Sequence, residues 1–241
     1  FTPTATTTYT VTGTDANGCV NTDQVTVTVN ALPTVGAGAD LTVCAGTAVT
    51  LSGTGASTYS WDNSVSNAVA FTPTATTTYT VTGTDANGCV NTDQVTVTVN
   101  ALPTVGAGAD LTVCAGTAVT LSGTGASTYS WDNSVSNAVA FTPTATTTYT
   151  VTGTDANGCV NTDQVTVTVN ALPTVGAGAD LAVCAGTPVT LSGSGASTYS
   201  WSNAITNATA FTPTATTTYT VTGTDANGCV NTDQVTVTVN A

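Results

Sequence analysis

Thr78-Tyr79-Thr80-Val81-Thr82-Gly83-Thr84, then Asp85-Ala86-Asn87-Gly88, then Gln94-Val95-Thr96-Val97-Thr98-Val99 is the stretch that decides the fold. Both flanks alternate with a period of two, the spacing of a strand with one buried and one solvated face. Tyr79, Val81 and Gly83 share one face of the first flank, and Val95, Val97 and Val99 share one face of the second. Threonine fills the other faces, where its branched Cβ suits the pleat. Asp-Ala-Asn-Gly between them is a hairpin signal, and Asn before Gly is what a type I′ turn wants.

Working back toward the N-terminus, the same grammar continues. Thr34-Val35 starts a first strand, Gly36-Ala37-Gly38 kinks it, and Leu41-Thr42-Val43 carries it on. Ala45-Gly46-Thr47 turns into Val49-Thr50-Leu51, and Gly53–Ser57 is a loop. Thr58-Tyr59-Ser60-Trp61 is the third strand, with Tyr59 and Trp61 facing inward. Asp62–Asn67 is irregular, and Val69 and Phe71 point inward from a short strand that ends near Pro73. No helical periodicity appears. About seven short strands, with a buried Trp on the third and a Tyr opening the sixth, describe an all-β, immunoglobulin-like sandwich. Trp61, Trp131 and Trp201 are expected at core centres, and Tyr79, Tyr149 and Tyr219 at tyrosine corners. Leu51 and Val81 stand where antibody domains carry their inter-sheet disulfide.

The unit recurs in tandem. Residues 31–100 and 101–170 are identical, and 171–240 differs from them at eight positions, Pro188 for Ala118 and Ser202 for Asp132 among them. Residues 1–30 repeat 71–100, and Ala241 begins another unit, so domains are expected at 1–30 (the trailing part of one), 31–100, 101–170 and 171–241. A unit of roughly 70 residues is near the lower size of a β domain that folds by itself, which predicts beads on a string rather than a solenoid. The joints are short and carry Leu32-Pro33, so the expectation is an elongated, stiff rod. Residue 1 falls in mid-repeat, which reads as an excerpt from a longer secreted chain.

The 241 residues include no Lys, Arg or His, and the net charge is −13. Histidine and glutamate bases, Schiff-base lysines and arginine clamps are therefore missing, and although Asp, Cys, Ser and Tyr remain, no enzyme activity or cofactor is expected. A chain without cations does not neutralise a phosphate backbone or an anionic lipid surface, which argues against nucleic acid and against membrane docking. No apolar run approaches the roughly 20 residues of a membrane span.

Leu41-Thr42-Val43-Cys44-Ala45-Gly46-Thr47, Tyr59-Ser60-Trp61, Thr76-Thr77-Thr78-Tyr79-Thr80-Val81 and Asp85-Ala86-Asn87-Gly88-Cys89 together resemble the PKD-like and Ig-like repeats of giant Bacteroidetes surface proteins, a group that includes gliding-motility adhesins exported by the type IX secretion system. The chain departs from PKD domains at Trp61-Asp62-Asn63-Ser64, which lacks their Gly-Asp-Gly turn. The resemblance implies a cell-surface or secreted location and a spacer or adhesive role.

Few residues invite a site. Asp85, Asn87 and Asp93 gather near the last hairpin, but their spacing matches no EF-hand loop, and turn chemistry is the favoured reading over a calcium site. The outward Thr rows are read as solvated strand faces rather than an ice- or glycan-binding array, and Tyr59 with Trp61 as core rather than a sugar platform. Asn207-Ala208-Thr209, a glycosylation sequon found only in the variant repeat, is read as chance.

The cysteines carry more. Each repeat has two: Cys44 and Cys89, Cys114 and Cys159, Cys184 and Cys229, with Cys19 left over. No CxxC or His suggests zinc. Pairing within a repeat, 44–89, 114–159 and 184–229, closes a spacing of roughly 45 residues, worth about 4 kcal/mol on the chain-entropy model. An immunoglobulin-like topology, however, puts the two turns at opposite ends of a sandwich. The favoured pairing is therefore between repeats, Cys44 with Cys159 and Cys114 with Cys229, leaving Cys19, Cys89 and Cys184 to bond to repeats outside this stretch or to none. Expected partners are the neighbouring repeats and, in a fibre, lateral copies of the chain. The leading functional expectation is an extracellular stalk. Repeated weak glycan or ice binding, or a self-assembling fibre, are the alternatives.

Overall fold

The computed structural model describes all 241 residues. They form two compact units, residues 1–102 with 157–159, and residues 103–156 with 160–241.

In the first unit, the repeat 31–100 contributes six strands: β3 (Leu41–Cys44), β4 (Val49–Thr50), β5 (Thr58–Trp61), β6 (Ala70–Phe71), β7 (Thr77–Thr84) and β8 (Val90–Asn100). They follow a hairpin of β1 (Thr7–Thr14) and β2 (Val20–Val27). Four strands make one sheet in the order β3-β8-β7-β5, and β4 pairs with β6 to make the other. β3 runs parallel to β8, from Leu41↔Val97 to Cys44↔Asn100, while β7 and β5 follow antiparallel. Ahead of β3, Gly36 bridges Thr54 beside β4. The first strand thus changes sheets between residues 36 and 41, and the glycines around Ala37 permit the change. This is the immunoglobulin-like arrangement, and the fold is all-β with the units in tandem. The sequence reading of about seven strands becomes six and one isolated bridge, because Thr34–Gly38 makes a single pair rather than a ladder.

The core lies between the sheets. Trp61, Tyr79, Val81, Leu51, Val49, Val95 and Val97 are buried together, with Phe71, Val43 and Tyr59 packed at its margin. Trp61 is 8% exposed and Val81 0%. Burying a side chain of this class stabilises the fold by roughly 1.5–3 kcal/mol. The tyrosine-corner expectation needs correction. Tyr79 packs edge-on against Phe71 with centroids 5.2 Å apart. The hydroxyl-to-backbone bonds belong to Tyr59, whose Oη accepts from the Ala56 N–H (2.8 Å) and donates to the Ala56 carbonyl (2.7 Å).

The second unit contains the same six strands twice, in repeats 101–170 and 171–240, each with the same sheet order. Trp131 with Tyr149 and Trp201 with Tyr219 occupy the equivalent cores. One difference follows from sequence: Ser202–Ala204 forms a short 3-10 turn where the other repeats carry Asp-Asn-Ser.

The hairpin β1–β2 is an internal control. Residues 1–30 match 71–100 one for one, and the register, Thr7↔Val27 through Thr14↔Val20, repeats that of β7–β8. Yet Val11 is 65% exposed where Val81 is 0%, and Val25 62% where Val95 is 1%. Local sequence sets the hairpin, and the part of a repeat that precedes it, 31–70 in the first, supplies its core.

Candidate functional site: the disulfide staples

The hairpin loop is where the site begins. Thr84 pairs with Val90, so residues 85–89 form the loop. The Asp85 carbonyl accepts the Gly88 N–H (3.2 Å), and the Asp85 N–H donates to the Cys89 carbonyl (3.0 Å). Asp85 Oδ1 also accepts the N–H groups of Asn87 and Cys89, both at 2.8 Å. Only Gly88 in this loop has a positive φ, +84°. A type I′ turn needs two such residues in succession, so the expected turn type is corrected: it is a type I turn closed by a left-handed glycine. The Asx bonds to Asp85 favour that form because they hold the αR residues ahead of Gly88 in place.

Asp93 does not join Asp85 and Asn87. Its Oδ2 accepts the Ala37 N–H at 2.8 Å, fastening the sheet-switching kink onto β8. That bond and the Gln94 N–H hold the Asp93 carboxyl below the usual carboxylate range, and Asp163 and Asp233 behave alike.

Two further latches had no motif to reveal them. Asp40 Oδ1 accepts the Thr96 N–H (2.8 Å) and Asp62 Oδ1 the Thr80 N–H (2.9 Å). Asn67 Oδ1 accepts both the Trp61 indole N–H (3.0 Å) and the Gly53 N–H (2.8 Å). Asn207 does the same for Trp201 and Gly193, so the sequon asparagine carries a structural duty shared by Asn67 and Asn137. The Tyr59–Trp61 pair is likewise committed to core and loop. On the outer sheet face, Thr78 and Thr96 hydroxyls bond each other at 3.1 Å, as do Thr148 with Thr166 and Thr218 with Thr236.

The cysteines divide by location. Cys44 ends β3 opposite Asn100, and the Ala45 N–H bonds the Asn100 carbonyl at 2.8 Å, which sets Cys44 at the trailing end of its repeat. Cys89 precedes Val90, and Asn91 Nδ2 donates to the Pro33 carbonyl at 3.0 Å, which sets Cys89 at the leading end. The stretch of β8 from Asn91 to Asn100 spans about 30 Å. A disulfide needs Cα atoms within about 7 Å. The within-repeat pairings 44–89, 114–159 and 184–229 are therefore not made, and the register is the reason.

Across a joint the geometry is the opposite. In the second unit the Ala115 N–H bonds the Asn170 carbonyl (2.8 Å), so Cys114 sits where the repeat ends. Just beyond, the Pro173 carbonyl accepts Asn231 Nδ2 (3.0 Å), which puts the next hairpin, with Cys229, at the same place. Cys114 and Cys229 are bonded with Cα atoms 5.5 Å apart. Cys44 and Cys159, both in the first unit, are bonded with the same 5.5 Å separation. Cys159 and Cys229 are wholly buried. Cys19, Cys89 and Cys184 are free thiols.

No family model and no curated protein matches the chain. Several solved structures overlay loosely on it. Sidekick-1 immunoglobulin domains 1–5 share 13% identity over 99% of this chain and 67% of that one, with a TM-score of 0.30. The I9–I11 tandem of titin shares 12% over 87% and 97%, with a TM-score of 0.34. A Ca2+-stabilized adhesin with which an Antarctic bacterium binds ice shares 18% over 98% and 82%, with a TM-score of 0.33. Overlaps of this size identify no relative.

Proposed function

We propose that this chain is a structural spacer of an extracellular surface protein, a stalk in which each repeat is fastened to the next twice, by backbone and by disulfide. The observation that carries the reading is the pairing of a trailing-end cysteine with the hairpin cysteine of the following repeat, made twice with one geometry. Disulfides of this kind persist in oxidising compartments outside the cytosol. The rest of the chemistry suits a spacer. Asp40, Asp62, Asn67, Asp85 and Asp93 are spent on latches and turns within the repeat, and the repeats are nearly copies of one another. A spacer needs length more than individuality. A surface of one charge sign keeps neighbouring chains apart. A place on a bacterial surface, of the kind the PKD-like resemblance implies, belongs to the same proposal, with the adhesive element outside this stretch.

Small-angle scattering of the oxidised chain tests it. A globule of this chain length has a radius of gyration of about 18 Å. Three repeats and a hairpin laid end to end, each roughly 25–35 Å long, give about 30 Å. A measured value of about 18 Å, the globular limit, refutes the spacer reading.

A further inference from the structure

We propose that the two disulfides act as interlocked limiters of extension, and that a thiol reductant lifts the limit in two unequal steps. The sense of such a limit rests on the spacer reading. The limit itself rests on connectivity alone.

The bridges join 44 to 159 and 114 to 229, so each has one of its two ends inside the loop closed by the other. Consider the chain drawn out from its two ends with both bridges intact. The shortest covalent route runs forward from Phe1 to Cys44 and crosses to Cys159. It then runs backward from Cys159 to Cys114, crosses to Cys229, and goes forward to Ala241. Those three legs are 43, 45 and 12 residue steps, 100 in all. At about 3.5 Å per step the chain stops at about 350 Å. Without bridges the route is 240 steps, about 840 Å.

With either bridge alone the route is 125 steps, about 440 Å. Opening the first staple therefore frees only 25 steps, about 90 Å, because the other loop still holds most of the slack. Opening the second frees 115 steps, about 400 Å. Bridges within repeats would behave otherwise. Each would free its own 45 steps, about 160 Å, in equal increments.

The reversed leg has a structural consequence. Under load through both staples, the repeat 101–170 is held at Cys114 and Cys159, its trailing and leading ends. Tension passes through residues 114–159 and leaves out residues 160–170 and 111–113, which form the parallel ladder Val167↔Leu111 through Asn170↔Cys114. The backbone joint Asn170–Pro173 is also relieved. Reduction returns the load to that joint and ladder. Each opening is a thiol–disulfide exchange. A dithiol reductant attacks one sulfur, forming a mixed disulfide and releasing the other cysteine as a thiol; its second thiol then attacks its own sulfur in the mixed disulfide, the remaining cysteine leaves as a thiol, and the reductant departs as its own cyclic disulfide. Cys44 and Cys114 are half-buried and Cys159 and Cys229 are closed off, so attack enters from the trailing-end sulfur.

The test is single-molecule pulling of the full chain by handles at its two termini, oxidised and then with dithiothreitol. The expected result is a maximum extension that rises about 2.4-fold on full reduction, in increments with a ratio of about 1:4.6. The double variant C114S/C229S should reach the 125-step length while oxidised and gain only the 115-step increment with reductant. Equal increments of about 45 steps, or full extension without reductant, overturn the proposal. Either result leaves the spacer reading standing if scattering shows an extended particle. The expected increments from a compact particle would sink the spacer reading and keep the limiter.

Discussion

Replacing Asn67, Asn137 and Asn207 together by alanine should destabilise every repeat by the same mechanism. Each Oδ1 takes two N–H groups, the indole of the core tryptophan at 2.9–3.1 Å and a loop glycine at 2.8 Å. The tryptophan is held at 7–8% exposure, so its N–H has little access to water once the acceptor is gone. Leaving a buried donor unsatisfied costs about 1–3 kcal/mol, and the more accessible glycine N–H costs about 0.5–1.5 kcal/mol. The sum is about 2–4 kcal/mol per repeat. For a domain of this size each kcal/mol lowers Tm by about 4–8 °C, so the triple variant should melt roughly 10–30 °C lower, followed by tryptophan fluorescence. Aspartate at the same positions keeps the acceptor oxygen, and these residues are only half-buried. The triple Asn→Asp variant should therefore recover most of the loss at neutral pH. A drop under about 4 °C for alanine, or an aspartate variant as weak as alanine, refutes the assignment of these oxygens as keystones.

Trp131→Ala removes the largest core side chain of its repeat and should cost about 3–5 kcal/mol by chemical denaturation, with a new low-denaturant transition confined to that repeat. Ala68, Ala138 and Ala208 hold φ of 56–59°, so glycine at all three should raise stability by about 0.5–1 kcal/mol per repeat, read as a higher Tm. Asp93, Asp163 and Asp233 have folded-state pKa values below the unfolded one, so their contribution is full above the unfolded carboxylate range and is lost as pH falls through the folded value. An acid titration of stability should therefore show a decline below about pH 4 that is shallower in the triple Asp→Asn variant. Calcium at millimolar concentration should shift Tm by less than about 2 °C, because Asp85 is spent on its own turn and Asp93 on Ala37; a rise of many degrees would count against that reading.

The parts of the fold that were legible in the sequence are those governed by period and turn chemistry. Tyr79, Val81 and Gly83, and Val95 and Val97, alternate in burial as they alternate in type, and the hairpin forms between them. The identical hairpin β1–β2 shows why: its register is specified by its own segment, Phe1 to Asn30, with no help from a core. What stayed hidden is non-local. Asp40 bonding Thr96 and Asp93 bonding Ala37 each span 56 residues, and nothing in the neighbourhood of either aspartate names its partner. Asn67 lies only six residues from Trp61, but the irregular stretch between them carries no periodicity from which to place it. The turn type was not legible because Asn-Gly is shared by two turn families, and the side chain of Asp85 decides between them.

The variant repeat shows which of these contacts the fold depends on. All eight of its differences fall within 171–210, and residues 211–240 match the other three copies of the hairpin segment. Within the altered part the contacts are kept by substitution of like for like in role. Ser202 Oγ accepts the Thr220 N–H at 3.0 Å, as Asp62 and Asp132 accept those of Thr80 and Thr150. Ser194 Oγ reaches the Gly176 carbonyl at 3.4 Å, as Thr54 and Thr124 reach theirs. Ile205 packs on the core where Val65 and Val135 do. Ser202 makes that contact without a charge, so the latch depends on an acceptor at that point and not on a carboxylate. The cysteine, the hairpin and the Asn that closes on the tryptophan have no such stand-ins, since a thiol pairs only with a thiol and the Asn oxygen takes two donors at once. The repeat thus keeps its cysteines and the asparagine that closes on the tryptophan, and at positions 194 and 202 it exchanges one polar side chain for another that makes the same bond. The staples fall on the constant side, as expected if each joint must accept whichever copy follows it.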